Sequence, residues 1–390
     1  MSSSPVFISW IPNLMGGEGH ILPYHQALGR ALAILGWRHR VWAPIPPESL
    51  TLPPLWEGEL PPVDLEAEGS LFAKLGRVGP AWLLGRTLGQ KLAALADEET
   101  ILFTERFIHL QLFALLTALS RVPSPQRRRL RLWILYRRDI HRDATRPVYR
   151  WLQRRITGLL EGRCVLLTDS EPLGEALGAY FQTPFTVLPI PHTDFPATVP
   201  LETLPPPIYA WWPGAPRPEK GWAQIQALAQ SAPPEALNLR LLVAEAAQIE
   251  PAPQGPVLET LPNRLGAEEY AHWLNRCQII LLPYDALAYR ERTSGIFTEA
   301  IIAGRLPLVT QGTWMARELE RYDLGALILD WREPQGVWLT MIEILYYPPT
   351  LENLRAMQSA YRQFHTLDRF ASALRRLYPP PPFSEISGKA

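Results

Sequence analysis

Residues 279–310, IILLPYDALAYRERTSGIFTEAIIAGRLPLVT, constrain the fold more than any other stretch of the chain. Ile279–Leu282 is an apolar run of the length of a strand buried on both faces, and it stops at Pro283. A polar loop follows. A short helix then opens at Thr293-Ser294-Gly295 and ends at Gly304, and a second apolar strand, Leu306–Thr310, comes directly after. A strand–loop–helix–strand unit of this kind belongs to a parallel sheet. It directs a helix N-terminus at the carboxyl edge of that sheet, where α/β proteins hold phosphates.

The same alternation runs through the first half. Val6–Trp10 reads as a strand, followed by a glycine-rich loop (Gly16, Gly17, Gly19, His20), a helix from about Pro23 to Leu35 and a strand at Arg40–Ala43. The glycines do not match the dinucleotide fingerprint. They form either a tight turn or a loop facing a ligand, with Gly17 the candidate. Further strands are expected at Ile101–Thr104, Leu130–Tyr136, Cys164–Asp169 and Thr186–Ile190, with helices at Phe107–Leu119, Pro147–Leu160 and Pro172–Tyr180. The prolines of 205–207 mark a boundary before strand Ile208–Trp212. Later helical patterns cover Val337–Tyr347 and Leu351–Leu377.

At 390 residues the chain is long enough for two domains, each with a core. The formal net charge is zero, so no generally acidic or basic partner is implied. Cys164 and Cys277 are far apart in apolar surroundings and read as buried free thiols of a reducing compartment. The start, MSSSPVFISWIP, lacks the features of a signal peptide, and no run is long enough to span a bilayer. A soluble, cytoplasmic protein is expected.

Glu291 and Glu299 frame the helix start with seven residues between them. Ser294 or Thr293 can cap the helix, and Gly295 lets a ligand approach the backbone N–H groups. Glu299 lies one turn deeper on the same face, placed to accept hydrogen bonds from a ribose; Glu291, in the loop, reaches the hydroxyls of a sugar beyond the phosphates. The bland alternative is two solvated surface carboxylates. The pattern resembles the donor-binding signature of GT-B glycosyltransferases, above all retaining glycosyltransferase family four. The resemblance assigns Glu291 to the transferred sugar and Glu299 to the nucleotide ribose.

A second stretch carries the same resemblance. Pro213–Trp222, PGAPRPEKGW, is similar to the family's Gly-Arg-x-x-x-Glu-Lys-Gly loop after the first strand of the donor domain. Gly214 and Glu219-Lys220-Gly221 match it. The usual Arg position is Ala215, and Arg217 is the nearest guanidinium. The resemblance gives Lys220 and Arg217 the donor diphosphate. It implies two Rossmann-like domains facing across a cleft, residues 1–195 on the acceptor side and 208–360 on the donor side. Residues 361–383 would form a helix crossing back to the first domain, ahead of a disordered tail at 384–390. It further implies a nucleotide-diphosphate sugar as donor, a saccharide or lipid-linked acceptor, retention of configuration, no dedicated protein base and a role in cell-envelope polysaccharide or glycolipid synthesis. No Asp-x-Asp motif calls for a metal. A sugar-nucleotide epimerase, and a catalytically silent binding protein lacking the loop Arg at Ala215, stay open as alternatives.

Between Arg121 and Arg163 the chain has 13 Arg and no Lys against Asp139, Asp143 and Glu161, with Trp133, Tyr136, Tyr149 and Trp151 interspersed. Such a segment suits an anionic membrane surface or a lipid-diphosphate acceptor. The plain alternative is that these Arg cover helix faces and pair with the acidic stretches 57–68 and 97–99. No nucleic-acid recognition motif is present. Glu105 and Asp139, each just after an expected strand, occupy cleft positions without an assignable role.

Overall fold

A computed structural model describes residues 4–14, 21–47, 51–65, 76–95, 98–105, 108–137, 145–191, 198–234 and 238–378. Gly17 and the rest of its loop, His20, Asp139, Asp143 and the tail from residue 384 lie outside them.

Two parallel sheets organise the chain. The first contains β1 (Val6–Trp10), β2 (Arg38–Pro44), β3 (Trp56–Leu60), β4 (Thr100–Glu105), β5 (Leu130–Tyr136), β6 (Cys164–Thr168) and β7 (Phe185–Val187), in the order β3-β2-β1-β4-β5-β6-β7. The second contains β8 (Ile208–Trp211), β9 (Leu239–Ala244), β10 (Val257–Leu261), β11 (Ile279–Leu282), β12 (Leu306–Thr310) and β13 (Ile328–Leu329), in the order β10-β9-β8-β11-β12-β13. Both are Rossmann-like. In each, the first strand is flanked by the second on one side and the fourth on the other, so the order reverses there. Such a reversal opens a crevice at the carboxyl ends of the strands. The crevices lie between β1 and β4 and between β8 and β11.

The central strands are apolar because helices cover both of their faces. All five residues of β1 are buried, as are all four of β11. On one side of the first sheet, helices Val78–Ala93 and His109–Arg121 pack closely because Gly85 and Gly89 stand at the contact. A Cβ on Gly85 would lie 2.4 Å from the Ala114 carbonyl oxygen.

The structure departs from the sequence expectation in several places. The pattern at 351–377 forms two helices, Pro348–Phe364 and Leu367–Leu377, because Thr366 caps the second through the Arg369 N–H at 3.1 Å. His365, at the break, accepts a hydrogen bond from the Ile190 N–H at 3.0 Å. Burial holds its imidazole down at about 3, so it stays neutral and keeps that acceptor. The second helix then lays Phe370, Ala371 and Leu374 against Phe7, Tyr24, Leu28 and Phe103 of the first Rossmann-like unit. Strand β3 and helix Val78–Ala93 likewise have no counterpart in the expectation. β3 is an edge strand with a half-polar sequence, WEGEL, tied down by Arg40 and Trp42 to Glu57.

Candidate functional site

The loop after β8 is shaped by two glycines. Trp212 is buried at its start and donates its indole N–H to the Lys220 carbonyl at 3.0 Å. Gly214 has φ +89°, and a Cβ there would meet Lys220 Nζ at 2.9 Å and Ile296 Cδ1 at 3.6 Å. Gly221 has φ +83°, and a Cβ there would fall 2.1 Å from the Pro283 carbonyl oxygen. Only glycine therefore lets the loop after β8 lie on the chain leaving β11. The Asp285 N–H closes the same contact on the Glu219 carbonyl at 2.9 Å.

From the other side comes helix Gly295–Ile302. Ser294, and not Thr293, is its cap, with Oγ accepting from the Phe297 N–H at 3.2 Å. Thr293 and Ser294 are both buried, while Gly295 and Ile296 at the first turn keep some exposure. The first N–H groups of a helix have no partner inside it, and the helix dipole adds positive potential there. The contact of Gly214 with both Lys220 and Ile296 brings this helix start and the Lys220 ammonium to one place.

Three cations meet at that place. Lys220 has its proton affinity lowered to about 8, first by burial and then by Arg217 and Arg292. Arg217 is exposed; Arg292 is half-buried with its guanidinium 4.9 Å from the Tyr289 ring centre. The Lys220 ammonium stands 5.8 Å from the Tyr284 ring centre, on its π-face. Glu299, one turn into the helix, is pushed up to about 7 by burial, partly opposed by the hydrogen bond from Tyr270 and by Lys220. Tyr270 donates to Glu299 Oε2 and packs on Trp211 with ring centres 5.2 Å apart. A half-buried ammonium whose proton affinity is lowered by two nearby guanidinium groups favours a ligand that brings negative charge.

Of the residues singled out in the sequence, Gly214, Lys220, Thr293, Ser294, Gly295 and Glu299 are assembled here, with Arg217 alongside. Glu291 stands in the loop between β11 and the helix, its side chain 14% exposed and 3.3 Å from Arg290. Its backbone is in contact with the first Rossmann-like unit: the Ser170 hydroxyl donates to the Glu291 carbonyl at 2.7 Å. Arg292, Tyr270, Tyr284 and Ser170 carry no sequence signal of their own. Arg292 alone stands next to the residues that do.

Across from this site, the carboxyl edge of the first sheet holds a buried charge network. Arg137 donates to Asp169 Oδ2 at 2.6 Å and to Glu105 Oε2 at 3.1 Å, and His25 Nε2 is 3.4 Å from Glu105 Oε1. Glu105 is thus an ion-paired group, and His25 is fully buried.

No family model matches the chain, and no curated protein matches it by sequence. Solved structures do match it in shape. A glycosyltransferase from Rickettsia africae superposes with TM-score 0.60 at 9% identity, covering 96% of this chain and 98% of that one. A trehalose-6-phosphate protein from E. coli, bound with UDP-2-fluoro glucose, gives 0.62 at 11% identity over 96% and 100%. HepE from Anabaena, in complex with UDP-glucose, gives 0.58 at 11% identity over 95% and 98%. The fold is that of the GT-B glycosyltransferases. Among the described residues, no helix is long and apolar enough to cross a membrane, and no group of three or more His, Cys, Asp and Glu is placed to hold a metal ion.

Proposed function

We propose that this chain transfers a sugar from a nucleoside diphosphate to a hydroxyl acceptor with retention of configuration. The observation that carries the reading is the gathering of Lys220, Arg217 and Arg292 at the start of helix Gly295–Ile302, with Glu299 one turn deeper. Breaking the bond between the anomeric carbon and the diphosphate oxygen leaves its electron pair, and a growing negative charge, on that oxygen. Preorganised cations and helix N–H groups stabilise this charge, and losing one such donor costs about 3–4 kcal/mol in comparable sites. Glu299 takes the ribose hydroxyls, and Glu291 faces the sugar. The departing phosphate itself accepts the proton of the incoming hydroxyl, which explains why no protein base is needed. Arg217 and Arg292 together make up for the missing cation at Ala215. UDP-sugars in two structural neighbours support a nucleotide-sugar donor.

On the acceptor side we infer a saccharide or lipid-linked acceptor of the cell envelope, reached at an anionic membrane surface. Helix Arg146–Leu160 exposes Val148 and Trp151 beside Arg154 and Arg155, and helix Val78–Ala93 exposes Val78, Trp82 and Leu83. Among the described residues, no carboxylate pairs with Arg121, Arg128, Arg150, Arg154 or Arg155. Two of the acids expected to neutralise them are occupied elsewhere, Glu57 by Arg40 and Lys91 and Glu98 by Arg38. Exposed tryptophan beside such arginines suits an interfacial surface.

Incubation with UDP-, GDP-, ADP- and dTDP-sugars, with NMR of the released or transferred sugar, tests the reaction. Turnover of one donor with the anomeric configuration kept is expected; turnover with inversion, or sugar isomerisation without transfer, would contradict it. Sedimentation with phosphatidylglycerol vesicles, but not with phosphatidylcholine vesicles, is expected and should be lost in Arg154→Glu/Arg155→Glu.

A further inference from the structure

The Glu291 loop is fastened within its own Rossmann-like unit at two points. Trp314 donates its N–H to the Tyr289 carbonyl at 2.7 Å, and the Arg317 guanidinium donates to the Arg290 carbonyl. The next carbonyl along, that of Glu291, is taken by the other unit. Its donor is Ser170, 1% exposed and 121 residues away in sequence.

Ser170 is fixed from behind. Its Oγ caps helix Glu171–Phe181 by accepting from the Leu173 N–H at 3.3 Å, and its own N–H donates to Thr168 Oγ1 at 3.2 Å. The hydroxyl lone pair is therefore used inside the first unit and its proton is directed at the second. On one side, Asp169 is held by Arg137 at 2.6 Å, within the network that also ties in Glu105 and His25. On the other, Glu171 pairs with Arg321 of the second unit at 3.0 Å. Three consecutive residues thus link the buried network of the first sheet to the second unit, and the middle one, Ser170, reaches the loop carrying Glu291.

We propose that Ser170 is a positioning residue for the sugar-facing carboxylate. Its hydroxyl fixes the backbone of Glu291 only while the two Rossmann-like units are docked, so the carboxylate is aimed at the transferred sugar in the docked state alone. The proposal rests on the glycosyl-transfer reading above. It separates two events on the donor: the nucleoside diphosphate is held by Lys220, Arg217, Arg292 and Glu299, all of the second unit, whereas orienting the sugar requires the first.

The hydroxyl's two duties can be parted by substitution. Aspartate caps a helix as well as serine does but, ionised, has no proton to donate, while threonine keeps both functions. Ser170→Asp, Ser170→Thr and wild type are compared, after thermal melting shows that each is folded. The probes are UDP-, GDP-, ADP- and dTDP-glucose for turnover and the matching nucleoside diphosphate for binding. In Ser170→Asp, kcat is expected to fall about 10- to 100-fold with the nucleoside diphosphate dissociation constant within twofold of wild type, and Ser170→Thr should restore most of kcat. Wild-type turnover in Ser170→Asp, or an equal loss of nucleotide binding and kcat, would overturn the positioning role while leaving glycosyl transfer standing. A wild type that binds none of the four nucleotides would instead overturn the transfer reading, and this proposal with it.

Discussion

A half-buried ammonium beside two guanidinium groups loses part of its hold on its proton, and an arriving diphosphate restores it. At Lys220 this coupling gives a pH dependence with a definite sign. The unliganded group titrates at about 8, and the bound form holds the proton more tightly. Binding therefore takes up a proton above that pH, and nucleotide affinity weakens as pH rises past 8, by up to about tenfold per unit. Below pH 7 this group contributes no slope. Titration calorimetry at pH 8 and 10 checks it, above the range in which Glu299, at about 7, changes charge, and Lys220→Arg should lose this slope because a guanidinium keeps its charge. Gly221 is the residue on which the loop's path depends. Gly221→Ala adds a left-handed strain and a clash with the Pro283 carbonyl, so a loss of about 1–3 kcal/mol is expected, read as a lowered melting midpoint. Lys220, Ser294 and Glu299 were legible in the sequence because each sits at a fixed offset from a strand end or helix start. Tyr270 and Arg292 were not, since their roles arise from partners that the tertiary fold supplies: Tyr270 reaches Glu299 from 29 residues away.

At the scale of elements, what could be read depended on burial. β5, β11 and β12 are buried on both faces, and their apolar runs give the bounds directly: Leu130–Tyr136, Ile279–Leu282 and Leu306–Thr310. β3 and β10 are edge strands of mixed polarity, and neither has an apolar run to mark it. Each is tied to its neighbour by an arginine–glutamate pair, Arg40–Glu57 and Arg240–Glu259. The break at His365 was hidden by a helical pattern continuous on both sides. It matters because it lets helix Leu367–Leu377 reach helix Ile21–Ile34. Phe370 is fully buried there, with its ring 6.0 Å from that of Tyr24. Phe370→Ala should cost about 3–5 kcal/mol of stability. Limited proteolysis is expected to release the segment after residue 365 sooner than in wild type; unchanged protection would contradict the packing role.

For the whole molecule, the two Rossmann-like units have unequal duties. The second gathers the cations, the helix start and Glu299, and the first presents the Arg137 network, Ser170 and a basic, tryptophan-bearing face. The account stands or falls on the cation cluster being a diphosphate site. Isothermal titration of wild type, Lys220→Ala and Glu299→Ala with UDP, GDP, ADP and dTDP tests this most directly. One nucleotide should bind the wild type, and each variant should weaken it roughly 10- to 100-fold, the worth of one charge-assisted hydrogen bond. If none of the four bound the folded wild type, or if both variants bound as well as it did, the site would not be a donor site and the central claim would fail.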